Sequence, residues 1–364
     1  MKKVRLGVIG CGGIANGKHL PAQKKNPDAE LVAFCDIIEE RAKEAAEKYG
    51  SENAFVCKDY SELLAKTDVD AVLVLTPNVD HSPITVAALK SGRHVMCEKP
   101  MAINSKEAQK MLDAAKSSKK LLTIGYQSRY TNASLFLKKE CEAGTLGEIY
   151  YAKAKAIRRR AVPTWGVFLK EDKQGGGPLI DIGTHTLDLT LFMMQNYEPL
   201  YAVGTTYHKL NKDKETGNIW GDWNPKEFTV EDSAFGFIVM KNGATIQLES
   251  SWALNTLDEG EAGTFLCGTK AGADMLDGLR INGVRNGARY VLKPDLKAGG
   301  VAFYGGQSLS CEDREARTFT DAILGKGTLY VKPEEAFVVT KILEGIYESA
   351  RTGKPYYFKE GKKK

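Results

Sequence analysis

Six residues from Val4 to Ile9 form an apolar, β-branched run that ends in a glycine turn, and residues 31–35 and 71–75 repeat that form. Short apolar runs bounded by turn residues predict strands buried on both faces. Helical stretches lie between them, at 38–49 closed by Gly50 as a C-cap and at 79–90 closed by Gly92. Residues 94–97 and 121–125 add two strands, with a helix over 105–116 between them. Strand and helix in alternation predict an α/β doubly wound parallel sheet.

After Glu148 the pattern changes to longer strands at 149–157, 234–240 and 244–252, the last two joined by the hairpin turn Asn242-Gly243. Helices are predicted at 181–194 and 334–350. The second half therefore reads as an α+β domain with a large, mostly antiparallel sheet. Its open face suits a covering subunit, so a homo-oligomer is expected, as dimer, tetramer or higher. The expected division is 1–125 for a Rossmann domain that binds NAD and 126–364 for substrate binding and oligomerisation. Residues 211–227, rich in Asn, Lys, Gly and Trp, read as the most mobile loop.

Length supports two domains, because 364 residues exceed the size at which a single core stops growing. No apolar run approaches the roughly 18 residues that span a bilayer. Arg5 and the glycines from Gly7 interrupt any signal-peptide core, so export is not expected. The seven cysteines are scattered, without C-x-x-C spacing, which fits a reducing cytoplasm and argues against thiolate metal binding. The net charge is +5, and much of it comes from a tail with Lys359, Lys362, Lys363 and Lys364, read as solvated. Arg158-Arg159-Arg160 would alternate between strand faces, which leaves little support for nucleic-acid binding.

The first turn carries the candidate cofactor site. Gly10 permits the turn after the first strand, Gly12 lets backbone approach a pyrophosphate, Gly13 and Ile14 complete the motif, and Ala15 allows close packing of a helix whose N-terminus faces the phosphates. Asp36 ends the next strand, where its carboxylate would accept the adenosine ribose hydroxyls and repel a 2'-phosphate. NAD is therefore favoured over NADP, although Arg41 is a nearby cation. A carboxylate there could also simply cap the following helix.

Further chemistry sits at other strand ends. Thr76-Pro77-Asn78, with His81 one turn on, and Glu98-Lys99-Pro100 both fall at the edge where open α/β sheets bind ligands. The Lys99 ammonium could polarise a carbonyl or alkoxide oxygen. Asp181 and His185 lie four residues apart, so on a helix they share a face. His185 could take a hydroxyl proton while Asp181 orients it or binds a neighbouring hydroxyl. The same pair could be core residues or half of a metal site, but no further ligands stand at recognisable spacing. The preceding Gly175-Gly176-Gly177 suits backbone pressed against a ligand. Trp165 could stack on a sugar or pack between domains, and Arg158 or Arg160 could donate to substrate.

Taken together, Gly10-x-Gly12-Gly13-Ile14-Ala15, Asp36, Thr76-Pro77-Asn78-x-x-His81, Glu98-Lys99-Pro100, Gly125-Tyr126-Gln127 and Asp181-x-x-x-His185 resemble the Gfo/Idh/MocA oxidoreductases. The resemblance implies a Rossmann domain followed by an open-sheet domain, and carbohydrate or cyclitol substrates. It casts Lys99, Asp181 and His185 as the catalytic trio, Glu98 as a neighbour of the cofactor ribose, and Gln127 as a nicotinamide contact. Residues 158–168 are similar to those of members that oxidise a glycoside ring hydroxyl, commonly at C3. Two alternatives are an NAD-dependent glycosidase that uses transient oxidation and a catalytically silent NAD-binding sensor.

Overall fold

The computed structural model describes residues 3–66, 68–296 and 309–358. The basic tail from Lys359 lies outside them. The chain divides into two compact units, residues 1–130 with 306–337 and residues 131–305 with 338–364.

The first unit holds six parallel strands, β1 (Val4–Ile9), β2 (Ala29–Cys35), β3 (Phe55–Cys57), β4 (Ala71–Val74), β5 (His94–Cys97) and β6 (Leu122–Ile124), in the order β3-β2-β1-β4-β5-β6. The order reverses between β1 and β4, the switch point at which such sheets bind ligands. Leu6, Val8, Phe34, Leu73 and Met96, all on the strands, are buried in one cluster, which is why the strands read as mostly apolar. Phe319 belongs to the same cluster. It sits on the helix Cys311–Ile323, so a C-terminal segment fills part of this core and the unit is not contiguous in sequence. The boundary expected at residue 125 did not include that return.

The second unit contains β7 (Ile149–Ile157), β8 (Pro199–Tyr207), β9 (Ser233–Met240), β10 (Thr245–Ser251), β11 (Gly260–Gly268), β12 (Ala271–Asp274), β13 (Arg280–Arg285), β14 (Ala288–Leu292) and β15 (Tyr356–Tyr357). Their order is β14-β13-β12-β11-β7-β10-β9-β8-β15, and only the β10–β7 pairing is parallel. The Asn242-Gly243 hairpin forms as expected, with Gly243 at φ +86. One face of the sheet is buried through Ala152, Ala154, Ile246, Leu248 and Ile238. Gly204 and Gly236 let Ile346 approach, since a Cβ at either would come within 2.6 Å of its side chain.

Two expectations change. Gly50 is extended at φ −66 and so is not a left-handed cap. Glycine is needed there because a Cβ would lie 2.5 Å from the Ala46 carbonyl oxygen. The loop at 211–227 has no regular structure, yet it is anchored: Trp223 is buried and its indole N–H donates to the Asn211 carbonyl at 3.1 Å.

Candidate functional site

Gly10 takes φ +95, and a Cβ there would stand 2.6 Å from the Leu75 carbonyl oxygen, so only glycine allows β1 to turn beside β4. At Gly12 and Gly13 a Cβ would meet nothing within 4 Å. That open space is the cradle a pyrophosphate requires. The chain then enters a π-helical turn, Ala15–His19, a geometry that recurs at functional sites. Ile14 is exposed beside it.

Asp36 is tied on both oxygens, with Oδ2 accepting the Cys11 N–H at 2.8 Å and Oδ1 the Ile38 N–H at 2.8 Å. It therefore shapes the glycine turn and the bend that follows β2, and a carboxylate with two filled positions still has lone pairs for a ribose hydroxyl. The helix that follows has Ile38 at its N-cap with no side-chain bond, so the capping alternative does not describe Asp36. Arg41 is exposed in the first turn of the helix Glu39–Tyr49.

At the end of β5 the structure reveals a buried ionic network. The Lys18 ammonium donates to Glu98 Oε1 at 2.7 Å and to Gln127 Oε1 at 3.2 Å, and pairs with Glu315 Oε2 at 3.0 Å. His19 Nε2 lies 2.7 Å from the same Glu98 oxygen. Glu98 Oε2 accepts the Lys99 backbone N–H at 3.0 Å, so the carboxylate sets the course of the Lys99-Pro100 turn. Burial alone would raise the Glu98 pKa, but Lys18 and His19 outweigh it and hold the carboxyl well below its usual range. Burial likewise depresses the Lys18 ammonium, and Glu315 with Glu98 more than restores it, so it stays charged.

The network also fixes the Gln127 amide. An ammonium only donates, so Oε1 faces Lys18 and the amide N–H2 points elsewhere as a donor. His81 is buried, with Nδ1 2.7 Å from the Pro100 carbonyl and Nε2 2.9 Å from that of Thr76. It is a strut between two strand-end turns, and burial lowers its pKa. Pro77 is exposed and Asn78 begins the following helix. The Thr76 hydroxyl oxygen is buried without a partner among the described residues, as expected of a group reserved for a ligand. Cradle, carboxylate and orphan hydroxyl together fit a dinucleotide.

In the second unit, a π turn over Leu179–Gly183 leads into the helix Thr184–Met194. Every residue from 179 to 193 is buried except Asp181 and His185, which are half-exposed. Their four-residue spacing therefore places them together on the one open stripe of an otherwise enclosed element. Asp181 Oδ2 accepts the indole N–H of the fully buried Trp252 at 3.1 Å.

The glycine triplet has a different reason from the one the sequence suggested. A Cβ at Gly176 would stand 2.1 Å from the Tyr347 hydroxyl, and one at Gly177 2.2 Å from the Glu231 carbonyl oxygen. The backbone is pressed against its own chain. Glu231 accepts the N–H groups of Gly177 at 2.8 Å and Leu179 at 3.2 Å, together with the Tyr347 hydroxyl at 2.8 Å. Burial raises its pKa to about 7.

Beyond the end of β7, Arg158 pairs with Glu261, its Nε donating at 2.7 Å, and its guanidinium lies 5.1 Å from the Trp220 ring centre. Arg160 donates to Asn255 at 2.7 Å, and Arg159 is exposed. Trp165 is exposed and meets Trp220 edge-on at 5.1 Å. Sequence reading missed Lys18, His19, Trp220, Glu231, Trp252 and Glu315. Only the first two had a local signal, one turn past the glycine motif.

A family model described as an oxidoreductase family with an NAD-binding Rossmann fold matches residues 4–126, and the Gfo/Idh/MocA C-terminal domain model matches 135–274. The D-glucoside 3-dehydrogenase of Escherichia coli is 34% identical over 354 residues, covering 96% of each chain. The myo-inositol 2-dehydrogenase of Thermotoga maritima is 33% identical over 249 residues, 68% of each. Among solved structures, a levoglucosan dehydrogenase in complex with NADH and levoglucosan superposes with TM-score 0.82 at 21% identity, covering 97% of this chain and 99% of that one. An oxidoreductase domain protein from Kribbella flavida gives 0.86 at 22%, covering 99% and 100%.

Proposed function

We propose that this chain, which belongs to the Gfo/Idh/MocA oxidoreductase family and carries its NAD-binding Rossmann domain, oxidises a ring hydroxyl of a sugar, glycoside or cyclitol to a ketone. Carbon 3 of a glucoside is the leading position, because the relative that covers 96% of the chain is a D-glucoside 3-dehydrogenase. The observation that carries the reading is the isolation of Asp181 and His185 as the only half-exposed groups between residues 179 and 193.

The reacting carbon gives up a hydride and its hydroxyl gives up a proton. NAD, when bound, supplies the hydride acceptor. His185 takes the proton at a ring nitrogen, a task suited to an imidazole, which can both accept and donate a proton. Lys99, on a turn fixed by Glu98, His81 and Pro100, polarises the reacting oxygen with its ammonium. Asp181, oriented by Trp252, accepts a hydrogen bond from an adjacent hydroxyl. Gly10, Gly12, Gly13 and Ile14 shape the pyrophosphate cradle, Asp36 receives the adenosine ribose with Arg41 near it, and Thr76, Pro77, Asn78 and Gln127 border the nicotinamide half. Glu98 and His81 serve that half as struts.

The test is incubation of purified protein with NAD and a panel of glycosides, free sugars and inositols, following NADH and product mass. NADH together with a product lighter by two hydrogens supports the reading. Bond cleavage without net NADH, or inertness across the panel, overturns it.

We further propose a homo-oligomer that covers the open sheet face, where Val203 and Phe237 face each other across β8 and β9 and remain 39% and 43% exposed. Its place is the cytoplasm. The seven cysteines are all unpaired by disulfides, and burial raises thiols such as Cys11, to about 12, and Cys141, to about 11, which keeps them inert. Among the described residues, no helix is long and apolar enough to cross a membrane.

A further inference from the structure

The chain has four tryptophans, and the fold treats them in two ways. Trp223 and Trp252 are buried, at 4% and 0% exposure, whereas Trp165 and Trp220 stand 52% and 40% exposed and touch one another. Ile219 beside them is 71% exposed. Two indoles and an isoleucine held together at a surface lose apolar burial that the fold achieves elsewhere, which marks a contact site.

The segment carrying them is fixed. Thr164 donates its hydroxyl to the Trp220 carbonyl at 2.8 Å, and Asn218 accepts the Val162 N–H at 2.8 Å while donating to the carbonyls of Val162 at 3.0 Å and Gly221 at 2.7 Å. Backbone on both sides of the tryptophan pair is thus clamped in advance of any ligand. Trp220 and Ile219 line a cleft with Arg158, Arg160, Asn255 and Glu261, and Trp165 packs edge-on against Trp220. The cleft's charged groups are already oriented, Arg158 on Glu261 and Arg160 on Asn255. An apolar floor with a rim of fixed donors and acceptors matches a pyranose or aryl ring, which offers a flat apolar face and, in a sugar, a girdle of hydroxyls.

Side-chain packing links the tryptophan pair to Asp181. The indole that holds this carboxylate, Trp252, meets Phe168 at 6.4 Å, and Phe168 meets Trp165 at 6.0 Å. Two ring contacts therefore lead from the half-exposed carboxylate to the exposed tryptophan pair, all within the second unit.

Resting on the dehydrogenase reading above, we propose that Trp165 and Trp220 with the Arg158–Glu261 pair form a subsite for the ring attached to the oxidised sugar, so that the substrate is a glycoside with an aryl or sugar aglycone rather than a free monosaccharide. Trp220 and Ile219 form its outer wall, and Trp165 joins it to the reacting sugar.

Two measurements decide this, each with Trp220→Ala, Ile219→Ser and wild type compared at matched thermal stability. The first titrates tryptophan fluorescence with phenyl β-D-glucoside, cellobiose and glucose in the presence of NAD. Saturable change with the two glycosides, weakened roughly tenfold by Trp220→Ala, supports the subsite even in a protein that turns over none of them. The second reads the ratio of KM for phenyl glucoside to KM for glucose, expected to rise about tenfold in Trp220→Ala with kcat nearly constant. An unchanged ratio and unchanged titration, in a variant that folds, would overturn the subsite while leaving the dehydrogenase reading intact. Inertness of the wild type across the sugar panel overturns that reading instead, and the titration then decides the subsite alone. A shift of self-association on Trp220→Ala with no effect on glycosides would identify the patch as a protein contact and sink the proposal.

Discussion

Glu231 accepts the backbone N–H of Gly177 at 2.8 Å, and this bond holds the start of the segment that presents Asp181 and His185. Glu231 lies outside every sequence motif, yet its backbone carbonyl at Gly177 and its partner Tyr347 at Gly176 leave no room for a Cβ at either position.

Burial raises the Glu231 pKa to about 7, so the folded protein binds a proton there that the unfolded chain releases near 4.5. A raised carboxylate pKa contributes stability that is complete below pH 4.5 and is lost as pH climbs through 7, a change on the order of 3 kcal/mol. Glu231→Gln should therefore flatten the fall of Tm between pH 5 and 7 relative to wild type. Melting curves across that range check it, and parallel pH profiles for the two proteins would refute it.

Among the described residues, Lys18 is the single ammonium bonded to both Glu98 and Glu315. Lys18→Met removes the ammonium bonded to Glu315 and leaves Glu98 only His19 and the Lys99 N–H, and should destabilise the fold by about 3–5 kcal/mol in urea unfolding. Glu315→Gln should cost clearly less, because Lys18 keeps Glu98. Equal losses from the two substitutions would count against the network as described.

Asp36 carries two backbone bonds as well as the ribose assignment. Asp36→Asn should cut kcat/KM for NAD by roughly 10- to 100-fold, the scale of a hydrogen bond to a charged group, and shrink the preference over NADP. Wild-type enzyme that uses NADP better than NAD would show the ribose assignment to be wrong.

His185→Ala and Lys99→Met should each bind NAD with little change yet lose about 10²–10⁴ in turnover. Equilibrium titration with NADH and steady-state kinetics separate the two effects. Unchanged kinetics in both variants would remove the catalytic assignment.

Phe237→Arg places a charge on the open sheet face and should lower the mass measured by light scattering, with the monomer's helix content kept. A monomeric wild type, or an unaltered mass in the variant, would rule out this face as the interface.

The glycine turn, the strands that precede Asp36, Thr76 and Lys99, and the hairpin at Asn242-Gly243 were all legible in the sequence, because each depends on neighbours within a few residues. A strand buried on both faces is mostly apolar, and the φ of +95 at the first turn favours glycine. The Asp181–His185 spacing was legible for the same reason, since the helical period alone sets a shared face.

Residues that act across the chain left no such trace. Glu315 reaches Glu98's network from a helix more than two hundred residues downstream, and Trp252 reaches Asp181 from the end of β10. Burial decides what each of these groups does, and burial belongs to the packed assembly of elements. Sequence alone thus determined a Rossmann unit with its glycine turn, and its resemblance to the family nominated Lys99, Asp181 and His185 for the proposed chemistry. Tertiary structure decided which carboxylates are struts, why the glycine triplet exists and which two tryptophans are left facing solvent, because desolvation and ion pairing between distant segments arise only once the core has closed.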